Sequence, residues 1–255
     1  MGRLKRYPGV LWSRREGPLL AWFELTVKGT RQAALRGAIM ASANQGQETG
    51  EEGKLHELMR QVLEVGTAIS GARPWLAPIS GTVPVLVFDQ VGKASRAARQ
   101  MLQAALADQK TVWIWPSAQG AGWLARRQAM LPSSWRLLPE GLDLPAMLRQ
   151  VSAAYTVDAD EGWLALLADC PLHVYGPAHY AGWGLTRDHG VAAELARGSL
   201  SLAQLFDVVY RRLARYRHPS GNGEAALEVV LEALALQQQV RRRSAEMSQP
   251  AVLRF

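Results

Sequence analysis

With 255 residues, 48% hydrophobic and 20% charged, the chain is long enough for one large domain or two small ones, and its composition argues against disorder. Its one cysteine, Cys170, excludes an internal disulfide, a four-thiolate zinc site and a Cys-x-x-Cys redox pair. The net charge of +7 sits at the ends: residues 1–36 carry +6, residues 241–255 carry +3, and the stretch between them sums to −2. Nucleic-acid binding asks for a basic face on a recognisable module, and neither is present, so no nucleic-acid partner is expected. Basic ends interleaved with Trp12, Trp22 and Phe23 suit either an anionic membrane surface or a solvated terminus. No run approaches 18 apolar residues, and no apolar segment with a cleavage site follows the basic N-terminus. The chain therefore reads as unprocessed and cytoplasmic.

In chain order, residues 1–78 read as a basic helical segment, broken by Pro8, Pro18 and a polar loop from Ser42 to Gly53. Leu55, Leu58, Met59, Val62 and Leu63 predict a helix over 54–70, and Ala72–Pro84 reads as a linker. From 79 to 198 the pattern alternates. Short apolar runs at 85–88, 111–115, 154–157 and 172–175 predict buried parallel strands. Helices are expected at 97–108, 142–150 and 162–168. Residues 199–243 read as helices, with Leu227, Val230, Leu231 and Leu234 on one seam, and 244–255 as a tail. The predicted class is α/β, a Rossmann-like parallel sheet with helical N- and C-terminal segments. Such sheets bind ligands at the carboxyl ends of their strands, which singles out the turns 89–96, 116–122, 158–162 and 176–190.

Standard catalytic motifs are missing: there is no phosphate loop, no Gly-x-Gly-x-x-Gly, no nucleophile elbow and no His-Glu-x-x-His. Cys170, His173 and His179 fit no metal-ligand spacing, so no metal is expected, and no catalytic residue is assigned. The informative stretch runs from Val174 to Asp188, where Gly176, Pro177, Tyr180, Gly182, Trp183 and Gly184 crowd the turn after a predicted strand. Glycine permits positive φ and close backbone approach. Tyr180 and Trp183 either offer flat faces to a sugar or plug the end of the sheet.

The run Tyr-Gly-x-x-x-Tyr-Ala-Gly-Trp-Gly-Leu-Thr-x-Asp over 175–188 resembles the signature of the capsular polysaccharide synthesis family, which includes bacterial retaining β-Kdo transferases. Val85 to Ser95, Met101 to Ala105, Tyr155 to Val157 with Gly162, and Leu200 to Pro219 add to the likeness. The resemblance implies one half, the donor side, of a GT-B glycosyltransferase. It also implies a place in capsule or surface polysaccharide biosynthesis and transport, other assembly proteins as partners, and a location at the inner face of the inner membrane. No cofactor is implied beyond a CMP-sugar donor. Gln90, Ser95, Gly176, Tyr180, Gly182, Trp183 and Asp188 are the implied ligand-binding residues. The chain departs from the family at four places: Trp115 replaces a histidine, Asp158 and Ala159 replace two serines, Leu164 replaces a glutamate and Lys93 replaces an aspartate. Leucine accepts no hydrogen bond, and Asp158 would repel a phosphate. These departures imply a divergent or catalytically reduced protein. The alternative is an active transferase of CMP-Kdo whose acceptor half comes from a partner chain.

Overall fold

The computed structural model describes residues 4–8, 21–26, 30–43, 52–69, 83–90, 95–108, 111–117, 122–195, 198–218, 220–221 and 223–247. At its centre β3 (Val85–Phe88), β4 (Val112–Trp115), β5 (Trp135–Leu137), β6 (Ala154–Thr156), β7 (Leu172–Val174) and β8 (Arg187–Asp188) form one sheet in the order β5-β4-β3-β6-β7-β8. Every pairing in it is parallel. The apolar runs are buried on both faces because helices cover both. Val85, Val87, Ile114 and Tyr155 meet α3 (Arg96–Asp108) through Ala98, Met101 and Ala105. Leu86, Phe88, Trp113, Ala154 and Val174 point into a larger core. That core is closed by α2 (Glu52–Ile69), α4 (Leu144–Leu148), α5 (Gly162–Leu167) and α7 (Leu227–Met247).

The chain steps outward from β3 to β4 and β5, then returns to lay β6 on the other side of β3. The strand order thus reverses between β3 and β6. In open parallel sheets a crevice forms at this switch point, outside the carboxyl ends.

The terminal segments are not purely helical, and the N-terminal reading is corrected here. β1 (Leu4–Pro8) and β2 (Ala21–Thr26) pair antiparallel, and β2 pairs with β9 (Ala214–Arg217), which in turn pairs with β10 (Glu224–Ala225). Single-sequence periodicity misses such a sheet because its strands lie almost 200 residues apart in the chain. Between β2 and α2, α1 (Arg31–Ala43) buries Leu35 and Ile39 against the same core. Within 199–243, read as helices, the first is α6 (Leu202–Phe206), continued by a π-helical turn over Asp207–Leu213. Ser201 starts α6 with a capping box: its hydroxyl accepts from the Gln204 amide, and the Gln204 side chain returns to the Ser201 amide. Buried Asp207 holds the π turn by pairing with Arg211 at 3.0 Å and Arg212 at 2.7 Å. The expected linker, Lys93 and residues 248–255 of the tail lie outside the described residues, apart from Val83 and Pro84.

Candidate functional site at the switch point

The described residues of all four turns selected from the sequence follow the carboxyl ends of parallel strands, so they lie at one end of the sheet. Asp89, next after β3, is buried and works on the backbone. Its Oδ1 accepts from the amides of Gln90 at 2.8 Å and Leu124 at 2.9 Å, and its Oδ2 accepts from Ala125 at 2.9 Å. This carboxylate therefore ties the segment after β4 to the end of β3. Gln90 directs its side chain to Asp158, in the turn after β6. Ser95 is exposed and caps α3, its Oγ accepting from the Ala98 amide at 3.0 Å.

The turn after β6 carries three half-buried carboxylates, Asp158, Asp160 and Glu161. Burial pushes the Asp158 and Glu161 carboxyls up from their ordinary range. The Gln90 hydrogen bond opposes this at Asp158, and a hydrogen bond to the backbone opposes it at Glu161. Asp160 is paired with Arg31 at 2.7 Å. The Gln32 side-chain amide donates to the Asp158 carbonyl at 3.3 Å, and its oxygen accepts from the His179 amide at 3.0 Å. A side-chain contact from His179 Nδ1 reaches the same oxygen at 3.2 Å. α1 is thus bound across both turns by residues that the sequence reading left unassigned. No local signal marks them, because each contact joins positions about 130 residues or more apart.

The glycine-rich turn after β7 is tightly packed. Gly176 is buried where a Cβ would stand 2.5 Å from Val157 Cγ1 and 2.9 Å from the Val157 carbonyl. Gly182 has φ 75°, which a side chain would strain. Tyr180 is fully buried and its hydroxyl donates to the Ala159 carbonyl at 2.5 Å. Trp183 is 3% exposed, sits among the apolar core residues and donates through Nε1 to the His179 carbonyl at 2.9 Å. Of the two arrangements open for these rings, the structure has them plugging the end of the sheet. The Trp183 Nε1 is spent on its own turn and the Tyr180 hydroxyl on the neighbouring turn after β6. Asp188 lies in edge strand β8, beside Val174, where its Oδ1 accepts from the Thr186 hydroxyl at 2.8 Å. Arg36 of α1 is close enough for Asp188 to act on its charge; burial is the larger effect and lowers the guanidinium's pKa.

The three residues weighed as a metal set go to different places. Cys170 precedes β7 at its amino end and is buried. His173 stacks on Tyr155 and contacts His189 at 3.0 Å. His179 is fully buried at the opposite end of β7, its pKa pressed down to about 4, chiefly by burial. Two of the positions expected to depart from the family can also be placed. Leu164 is 6% exposed, inside α5 and facing the core, and Trp115 closes β4 half-buried against that core.

Set beside known proteins, residues 127–222 match the family described as capsule polysaccharide biosynthesis protein. The capsule polysaccharide modification protein LipA of Neisseria meningitidis serogroup A is 28% identical over 186 residues, covering 66% of this chain and 26% of LipA. The lipopolysaccharide-processing protein LpsZ of Rhizobium meliloti is 33% identical over 101 residues, 40% of this chain and 23% of LpsZ. The chain thus spans about a quarter of the length of these curated relatives. In fold it is similar to the beta Kdo 2,4 transferase of Thermosulfurimonas dismutans KpsC, with a TM-score of 0.78 and 21% identity over 92% of this chain and 79% of that one. The beta Kdo 2,7 transferase of the same KpsC aligns with a TM-score of 0.66 and 14% identity. In sequence the chain resembles the capsule polysaccharide synthesis family, and in fold it is Kdo-transferase-like.

Proposed function

We propose that this chain, similar in sequence to capsule polysaccharide proteins and in fold to Kdo transferases, serves capsule or surface polysaccharide assembly as a transferase-like unit with reduced catalysis. One observation carries this reading: beside the crevice between β3 and β6, the polar groups of the turn after β6 are engaged with α1. Asp158, Asp160 and Glu161 present carboxylates where a nucleotide phosphate would lie, and Arg31 and Gln32, the donors that reach this turn from α1, are already engaged with it. A donor phosphate would have to displace the Arg31–Asp160 pair and face the remaining negative charge. Leu164 and Trp115 add no hydrogen-bond acceptor at the family's glutamate and histidine positions. Gln90, Ser95 and Asp188 remain as the groups a ligand would meet first. Gly176, Tyr180, Gly182 and Trp183 act by shaping the turn. Partners from the same assembly machinery, and a place at the inner face of the inner membrane, belong to this proposal.

Titration calorimetry with CMP and with CMP-Kdo tests it. We expect a Kd weaker than about 1 mM, equivalent to roughly 4 kcal/mol. Micromolar binding of either nucleotide would overturn reduced catalysis. It would favour the second reading, an active transferase whose acceptor half comes from a partner chain. The fold likeness over 79% of a Kdo transferase chain supports a transferase but leaves a partner chain much less than half to supply.

A further inference from the structure

His173 fits no metal-ligand spacing, yet it sits in a dense cluster on the α3 face of the sheet. Tyr155 of β6, His173 of β7 and Arg187 of β8 lie side by side there in register. Two residues further on, and so on the same face, Tyr175 and His189 continue the lines of β7 and β8. The His173 and His189 rings are parallel to within 3° with centres 5.2 Å apart, yet Nδ1 of the first and Nε2 of the second approach to 3.0 Å. Rings so placed lie edge to edge in nearly one plane, the geometry of a linear hydrogen bond and not of a stack. Tyr155 covers His173, with centres 4.5 Å apart, and Tyr175 covers His189 at 4.7 Å.

Arg187 fixes the protons of this pair. Its Nη1 lies 3.4 Å from His173 Nε2, and a guanidinium can only donate. His173 Nε2 therefore offers a lone pair, its Nδ1 carries the hydrogen, and that hydrogen goes to a bare Nε2 on His189. A further proton finds no place without breaking a contact: on His173 Nε2 it meets the guanidinium, and on His189 Nε2 it meets the hydrogen already there. The surrounding groups do not offset the added charge. Tyrosines are neutral in this range, α3 brings Gln100 against Gly190, and its Arg96 and Arg99 are exposed cations. Asp188 alternates to the other face of β8, beside Val174 and towards Arg36, and Glu194 is exposed beyond the strand.

We propose that the His173–His189 pair is an acid-released latch, which holds β8 against β7 while both rings are neutral and frees it when the pair is protonated. β8 is an edge strand of two residues. Its pairing with β7 is prolonged by the His189 amide, which donates to the Val174 carbonyl at 2.8 Å. A strand with so few backbone bonds opens locally at little cost, so the side-chain tie beside it decides whether it stays. Thr186 and Asp188, joined at 2.8 Å, move with it. Acid thus withdraws Asp188 from the carboxyl end of the sheet, within the range of about pH 5 to 8 where imidazoles change charge.

Amide hydrogen exchange on the full chain, read as an opening constant after correction for the intrinsic pH dependence of exchange, tests this. The His189 amide should open about tenfold more often at about pH 5.5 than at about pH 7.5 for each proton the freed pair takes up. The Tyr175 amide, bonded to the Thr156 carbonyl inside the sheet, should keep its protection, which separates release of β8 from a general loss of stability in acid. His189→Gln, at a half-buried position, keeps a hydrogen-bonding side chain without the charge and should flatten the dependence. Nitrogen-15 spectra of the unaltered protein should show the His173 hydrogen on Nδ1 at about pH 7.5. A His189 opening constant that stays level across this range, or that rises equally in His189→Gln, would overturn the latch. A hydrogen on His173 Nε2 would overturn it too, because the pair could then take up a proton with its bond intact.

Discussion

Gly162 opens α5 at a point where a Cβ would stand 2.2 Å from the Tyr180 hydroxyl oxygen and 2.7 Å from Cζ of the same ring. The ring cannot retreat, because it is fully buried and its hydroxyl is held by the Ala159 carbonyl. Gly162→Ala is therefore expected to destabilise the fold by about 2–3 kcal/mol through overpacking, visible as a lowered urea midpoint with an unchanged slope. An unchanged midpoint would mean that the ring has room the structure does not show. His179 makes a second residue-scale prediction. Its imidazole is held near a pKa of about 4, mainly by burial, with Asp160 opposing and Arg31 assisting. The unfolded chain takes up that proton near pH 6.5. Between these values the unfolded state binds more protons, so acidification from about 6.5 to about 4 should cost stability, by roughly 3 kcal/mol in full. The raised carboxyls of Asp158 and Glu161 act with the opposite sign, since they stay protonated in the folded chain to higher pH than in the unfolded one. The clean readout is thus a difference: His179→Gln should flatten the acid slope of stability, and an identical slope in both proteins would refute the assignment.

At the scale of elements, the switch-point crevice is organised by side chains that hold backbone. Asp89 takes three amide hydrogen bonds and binds the 122–125 segment to the end of β3. Asp89→Ala should cost about 2–3 kcal/mol, because hydrogen bonds to a charged acceptor are lost from a buried site. Hydrogen exchange should quicken at the Leu124 and Ala125 amides in particular. Uniform exchange across the sheet would indicate general loosening instead. The same logic separates what could be read from the sequence here and what could not. Val85–Phe88 and Val112–Trp115 announced themselves as apolar runs, because strands buried on both faces need no polar alternation. β5 and β8 did not, being three and two residues long at the sheet edges. The π turn over Asp207–Leu213 is equally silent: its residues keep helical composition, and the altered pitch arises where Asp207 gathers Arg211 and Arg212.

For the whole molecule, the antiparallel sheet binds the start of the chain to its far end. Phe23, Leu35 and Ile39 are all at or below 1% exposure in the central core, and β2 is paired with β9. Deleting residues 1–36 should therefore abolish cooperative unfolding, because Phe23, Leu35 and a sheet edge are lost at once. A truncated chain with a sharp native melt would contradict this. Attachment of the basic N-terminus to anionic lipid is better tested without truncation, by changing Arg3, Lys5 and Arg6 to glutamine. Vesicle binding that is salt-sensitive in the parent and lost in this variant is the expected result. Equal binding by the two would remove the idea.

The sequence by itself determined the class of fold and the end of the sheet at which to look. Apolar runs alternating with amphipathic helices leave few arrangements other than a covered parallel sheet, and in that sheet every turn after a strand falls on one side. It also singled out Gly176 and Gly182, since a residue without a side chain in a crowded turn is a statement about space and φ. Tertiary structure alone decided which groups meet there. Arg31, Gln32 and Arg36 reach the turns after β6 and β7 from a helix more than 120 residues away. Tyr180 and Trp183 are buried, their polar atoms meeting the Ala159 carbonyl of the turn after β6 and the His179 carbonyl of their own turn. Composition could establish that these two rings would be ordered, but only packing could decide between facing a ligand and sealing the core, because burial depends on neighbours that the local sequence does not contain.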